Sequence, residues 1–328
     1  MALTTLVGDT IDPKSSAAES IQHYYDTILI YNNQSKLVHE QFLAPKRMPS
    51  NNGKMFNVRS VTDFATVTAP LVESVTPAAV AATLKEQYFE VKQYGFRSGI
   101  SDMCEYTSND PVSNAIVKAL SLQMAKSRDT IIRDTIIPSA TYDYIPDGAS
   151  ALDATVAATT VHVTPDHCSE MELVLDGIDA EKITSMIPPA SGFNSVPVGE
   201  AYVAVSSHSV VDTISKFPEF SFYEHYAAGA GKKYSGEIGK FRNTRYIATT
   251  NYYSNANSDT AITYFAQNAG VVISLDKLNA TSYQTPYGSG DDTLRQRRYF
   301  GWKMALGCGL IKQDGTNAKG MAVLYVED

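Results

Sequence analysis

Residues 226–236 read YAAGAGKKYSG, and three glycines beside two lysines are the materials of a loop that cradles phosphate. That chemistry needs a glycine, four residues, then Gly-Lys and a hydroxyl, because backbone amides wrap the phosphates and the hydroxyl holds magnesium. Counting back from Gly231-Lys232, the first glycine falls on Tyr226, and the hydroxyl position holds Lys233. The neighbouring SGEIGKF fails the same way, at Tyr234 and Phe241. A surface connection is the better reading. His162, Asp166, His167 and Cys168 put four metal-ligand types within seven positions, but zinc sites need a second cluster at a defined spacing and none follows. Ordinary loop and strand residues are expected there. Ser206-Ser207-His208-Ser209 sets hydroxyls beside an imidazole without a nucleophile elbow, so a helix cap by Ser207 or Ser209 is expected instead. Asp291-Asp292 reads as a helix start, not a catalytic carboxylate pair. Arg295, Arg297 and Arg298 form the densest basic cluster, expected in salt bridges, including bridges between subunits. The residues assemble no catalytic site, no cofactor site and no metal site.

Composition narrows the class further. The chain has 328 residues, 44 % of them hydrophobic, and a formal net charge of −8. Asp and Glu outnumber Lys and Arg by 35 to 27, which argues against a surface built to clamp polyanions, where phosphate neutralisation dominates affinity. Cys104, Cys168 and Cys308 lie far apart and give no disulfide framework, so synthesis in a reducing compartment is expected. The start, MALTTLVGDTIDPKSS, lacks a basic residue followed by an apolar run, and no apolar stretch is long enough to cross a bilayer. Neither a secretory signal nor a membrane partner is expected.

The elements that would position these residues are unevenly legible. A short helix is expected over residues 20–31, where Ile21, Tyr24, Tyr25, Ile28 and Leu29 recur at helical spacing, followed by an extended arm, LAPKRMPSNNGK, ending in a turn. KMFNVRSV (54–61) and LKEQYFEVKQYGFRS (84–98) read as strands with charged residues on both faces. Joined by the broad segment between them, they form a projecting hairpin that needs a neighbour for stability. Asp110 and Pro111 open a long helix with an apolar stripe through Leu120, Met124 and Ile132, stopped by Pro138. Residues 143–160 read as an alanine-rich loop, and TTVHVTP, AYVAVS, RYIATTNYY, AITYFA and AGVVISL as strands, with helices near 170–175 and in SVVDTISKF. YFGWKMALGCGLI, the turn QDGTN and MAVLYV read as a closing hairpin.

The order of arm, hairpin, long helix, mixed lobe and closing strands resembles a tailed-bacteriophage major capsid protein of the Hong Kong 97-type fold, and more closely the coliphage N-four-like major capsid family. The resemblance is carried by LVHEQF (37–42), Lys46, Arg47, Pro49 and NNGK (51–54) on the approach to the hairpin. It continues in PLVESVTP (70–77), where Ser74 replaces a usual glycine, VKQYGFRSGISD (91–102) and RDTIIRD (128–134). AYVAVSSHSVVDTI (201–214) is similar, with Ser209 where proline is common, and SGEIGKFRNTRYIATTN (235–251) is the best match; residues 143–195 match least.

The resemblance implies an α+β fold with an N-terminal arm (1–53), an extended hairpin loop (54–103), a peripheral domain with a spine helix (104–142), an axial domain (143–294) and closing peripheral strands (295–328). It implies a shell subunit, made in the bacterial host cytoplasm and residing in the virion. Copies would assemble into hexamers and pentamers around double-stranded DNA without sequence-specific binding, with portal, scaffolding and cement proteins as partners. Expected contacts between copies are Glu73, Lys85, Glu86, Glu90, Lys92, Arg97, Lys232, Lys233, Arg295, Arg297 and Arg298. The rivals are an encapsulin-like shell protein, a soluble α/β enzyme, which nucleotide or metal stabilisation would reveal, and a DNA-binding module, which salt-sensitive binding would reveal.

Overall fold

A computed structural model describes residues 38–62, 64–71, 73–74, 76–108, 112–147, 151–153, 162–184, 199–223, 234–255, 258–276, 278, 280–288, 292–312 and 317–327. The helix expected over 20–31, the caps Asp110 and Pro111, the glycine-lysine loop with Lys232 and Lys233, and most of the turn QDGTN lie outside them. The first half of the chain supplies β1 (Ala44–Met48), β2 (Met55–Val61), β3 (Leu84–Glu90), β4 (Lys92–Ser101), α1 (Asp102–Thr107) and α2 (Val112–Ile136), then β5 (Tyr142–Asp147), β6 (Ala151–Asp153) and α3 (Pro165–Gly177). The second half supplies β7 (Tyr202–Ser206), α4 (His208–Ser215), β8 (Phe220–Phe222), β9 (Glu237–Phe241), β10 (Thr244–Ala248), β11 (Thr260–Phe265), β12 (Gly270–Leu275), β13 (Thr281–Thr285), β14 (Arg297–Leu310) and β15 (Met321–Val326).

Near-continuous apolar runs become the middle of an eight-stranded sheet, ordered β6-β5-β15-β11-β7-β10-β9-β8. β7, β10 and β11 are buried along their whole length, as strands covered on both faces must be. Period-two alternation sends Tyr202 and Ala204 to one face and Val203 and Val205 to the other. The first face is covered by α3, through Cys168, Met171 and Leu175, and by α4, through Val210, Val211 and Ile214. The second meets the inner end of α2, through Ile132 and Ile136, together with Val38 and Phe42 of the arm. Ser207 caps α4 by accepting the Val210 N–H at 3.1 Å, as the sequence predicted. Ser207→Ala is therefore expected to cost about 1 kcal/mol in a denaturant titration, the usual loss for an N-cap hydroxyl.

A second sheet runs β1-β12-β14-β13, with β4 also paired to β14. The helix α2 lies on it, contacting Phe300 and Trp302, and the indole Nε1 donates to Gln123 Oε1 at 3.2 Å. The arm segment APKRM is extended, as expected, and pairs in parallel with β12 from Ala44↔Val271 to Met48↔Leu275. Pro45 is tolerated because β1 is an edge strand.

Several expectations are corrected. The return strand of the hairpin is not continuous: it breaks at Val91, and β3 pairs with β2 whereas β4 joins β14. The closing hairpin is not formed, because β14 and β15 belong to different sheets; β15 lies between β5 and β11. The Asp-Gly turn chemistry was a local signal, overridden by burial of MAVLYV in the larger sheet. Residues 143–147 and 151–153, within the stretch read as loop, belong to β5 and β6. His162–Thr164 precedes a helix and is not strand: Thr164 accepts the His167 N–H, and His167 Nδ1 accepts the Thr164 N–H, each at 3.3 Å. His167 is thereby used as a capping partner, and burial pushes the Cys168 thiol up to about 11. Asp292 caps no helix; its carboxylate accepts the Gln296 and Arg297 N–H groups at 3.0 and 2.8 Å and folds the turn that starts β14.

Candidate assembly surface

The arm is fixed to α2 by a buried polar node. Asp129 Oδ1 accepts the His39 N–H at 3.1 Å, and Oδ2 contacts His39 Nδ1 at 3.0 Å and accepts Asn251 Nδ2 at 2.7 Å. Arg133 donates to Asn251 Oδ1 at 2.9 Å and to the Tyr252 carbonyl at 2.7 Å. Next to Asp129 in sequence, Arg128 holds Glu40 through two bonds of 2.6 and 2.7 Å. Burial by itself would raise the Asp129 pKa, but the bonds from His39 and Asn251 outweigh it and leave the carboxyl below its usual range. The arm, the helix and the loop after β10 thus meet at one carboxylate. Sequence reading missed this node; a lone Asp interrupting the inward stripe of a long helix was the available signal.

From the arm the chain enters the hairpin. Its base is seated by Phe89, which packs with Met48, Val271 and Ile273. Gln87 closes it: Nε2 donates to the Leu310 carbonyl at 2.8 Å and Oε1 accepts the Lys312 N–H at 3.0 Å. Gly309 is required opposite, since a Cβ there would lie 2.3 Å from the Phe89 ring. Further out β2 and β3 have only each other, in register from Met55↔Glu90 to Val61↔Leu84. The Thr62 N–H donates to the Thr83 carbonyl at 3.0 Å, and every described residue between 64 and 83 is exposed. Phe64 (61 %), Val67 (83 %), Leu71 (77 %) and Val80 (77 %) find no cover among the described residues. Ser74, standing where the resembling family has glycine, adopts φ 63°, the left-handed region glycine favours.

The predicted contact residues separate into three groups. Glu73 sits on the exposed tip. On the hairpin strands, Lys85 is exposed, Glu86 pairs with Arg59 at 2.9 Å, and Glu90 lies 3.9 Å from Lys92 at the start of β4. The Tyr88 hydroxyl, donating to Glu86 at 2.6 Å, is the main cause that holds the Glu86 carboxyl below its usual range. Arg97 and Arg297 share the face of the second sheet opposite α2, whereas Arg298 turns to the helix side, over Phe300 and 3.6 Å from Glu105. Arg295 occupies the preceding turn at φ 56°. Among the described residues no group of three or more His, Cys, Asp or Glu side chains could hold a metal ion, and no helix is long and apolar enough to cross a membrane.

No protein-family model matches the chain, and no curated protein matches it. Solved structures do match along its whole length. The chain is similar to the capsid structure of the cyanophage P-SCSP1u at 13 % identity and TM-score 0.63, covering 99 % of this chain and 98 % of that one. It is similar to a chain of the cyanophage Pam1 capsid at 10 % identity and TM-score 0.63, covering 97 % and 99 %. The capsid of a native GTA particle matches at 10 % identity and TM-score 0.60, with 100 % of both chains covered. The fold is the α+β, Hong Kong 97-type fold of phage capsid chains.

Proposed function

We propose that the chain is a major capsid protein, the shell subunit of a phage head, with a structural and not a catalytic role in the virion. The observation that carries this reading is the likeness to capsid chains over the full length of both partners, hairpin included. The physical chemistry agrees. A two-stranded hairpin with bare apolar side chains at its tip is marginal by itself and gains stability on another subunit. One heterologous contact repeated by rotation closes into rings, which is what hexamers and pentamers require.

The finer reading places the chain near the coliphage N-four-like family, on SGEIGKFRNTRYIATTN and the other segments named above. In it, α2 is the spine helix of a peripheral domain, the eight-stranded sheet forms the body of the axial domain, and portal, scaffolding and cement proteins are the partners. Electron microscopy of the purified chain, alone and co-expressed with a scaffold, tests the assignment. Closed icosahedral shells are expected; small discrete oligomers under every condition would overturn it.

A further inference from the structure

The chain contains a single Asn-Gly pair, Asn52-Gly53, in the turn between β1 and β2. The turn favours that glycine: Gly53 adopts φ 81°, in the left-handed region, two residues after Asn51 at φ 71°. A Cβ at Gly53 would meet nothing within 4 Å, and Asn51, Asn52, Gly53 and Lys54 are all exposed. Among the described residues, no group hydrogen-bonds the Asn52 side-chain amide or the Gly53 N–H. The other asparagines are differently placed. Asn251 Nδ2 donates to Asp129 and Asn255 Nδ2 donates to Asp259, each at 2.7 Å, while Asn57 and Asn114 have their backbone fixed within β2 and α2. Every asparagine except Asn52 is followed by a residue that carries a side chain.

We propose that Asn52-Gly53 is a self-modification site, at which the Asn52 side-chain amide is lost through a cyclic imide with water as the only co-reactant. The Gly53 amide gives its proton to solvent base, and its nitrogen attacks Asn52 Cγ. A Cγ–N bond forms, the Cγ–Nδ2 bond breaks, and Nδ2 leaves as ammonia with a proton returned by solvent. Water then opens the five-membered ring. Attack at Cγ yields aspartate, and attack at the backbone carbonyl carbon yields isoaspartate, in which the main chain runs through the side-chain carbons. Nothing is oxidised or reduced. Glycine helps because no Cβ stands beside the attacking nitrogen, and the open turn helps because no strand ladder holds the backbone away from ring closure. The product carries one more negative charge beside Lys54. Its isoaspartyl form also lengthens the main chain between two fixed points. One is Met48, buried at the end of β1 opposite Leu275; the other is Lys54, whose carbonyl accepts the Val91 N–H at 2.9 Å. The change is one-way and falls on the root of the hairpin. It stands apart from the shell reading, since the isolated subunit undergoes it.

Peptide mapping of the full chain tests it. After the folded protein is kept in mildly alkaline buffer at physiological temperature, trypsin should release residues 48–54, MPSNNGK, as the original peptide and two heavier, isobaric products. Fragmentation should place the change at residue 52 and not 51, and enzymatic methylation of the freed α-carboxylate should mark the isoaspartyl product. Conversion at Asn52 is expected to run at least about tenfold faster than at any other asparagine in the same map, a barrier lower by about 1.4 kcal/mol. It should slow in mildly acidic buffer, where the Gly53 amide loses its proton less often. Asn52→Gln, which would have to close a six-membered ring, alters an exposed side chain, so it should melt with wild type and show no conversion at that position. The folded chain should convert within about tenfold of the rate of a synthetic MPSNNGK peptide with blocked ends. A slower folded chain would overturn the assignment, because the turn would then protect the amide. Conversion spread evenly over the asparagines, or undiminished in Asn52→Gln, would overturn it as well.

Discussion

Deleting residues 65–83 is expected to leave a soluble, folded subunit that makes no closed shells. No described side chain of the deleted tip is buried, and the shortened loop then leads directly into β3. What holds the hairpin base lies elsewhere, in Phe89 against Met48, Val271 and Ile273, and in the two bonds of Gln87. Stability should therefore change by about 0.5 kcal/mol, the ordinary range for exposed positions, and the melting curve should stay cooperative. Assembly should fail because each copy loses the exposed apolar side chains of the tip, Leu71 and Val80 among them. The measurement is paired: thermal melting of the subunit, and electron microscopy of the assembly reaction. Normal shells from the deletion would remove the hairpin from the assembly mechanism.

Asp129→Ala is expected to destabilise the fold by about 3 kcal/mol or more, because it strands His39 and Asn251 inside the protein without their shared acceptor. The loss should appear as a lower denaturant midpoint with little change in slope. Limited proteolysis should then cut the arm around residues 38–43, which in wild type are held by this node and by Glu40 on Arg128. The pH dependence has a defined sign. The folded carboxyl titrates below its unfolded value of about 3.9, so its contribution is fully present above that value and is lost as pH falls through the folded one. Wild type should lose stability on acidification below about pH 4 more steeply than Asp129→Ala, whose profile lacks this contribution. Parallel acid limbs in the two proteins would show that Asp129 is not held ionised by the node.

Much of the fold was legible because its signals are local. The apolar runs of AYVAV and AITYF report strands buried on both faces, the stripe through Leu120 and Ile132 reports a helix lying on a sheet, and Ser207 reports a cap through its own hydroxyl. The failed phosphate loop at Tyr226 and Lys233 was equally local, and it removed a nucleotide site on stereochemical grounds. The hairpin itself followed from two charged strands with no core to share.

The rest depended on which strands meet. MAVLYV looked like the partner of β14 by its turn chemistry, yet its fully apolar run is buried to better effect between β5 and β11. Asp129 gains its role from His39, 90 positions away, and from Asn251, 122 positions away, a junction that no spacing rule can announce. The basic cluster at 295–298 was visible as composition, but its meaning came from the pleat. Register with β4 and β13 sets Arg297 on the same face as Arg97 and Lys303 and gives Arg298 to Glu105 on the other. The sequence determined which side chains carry charge and which stretches must be buried, whereas the tertiary structure decided which charges stand together, because side-chain direction in a sheet is set by pairing partners far away along the chain.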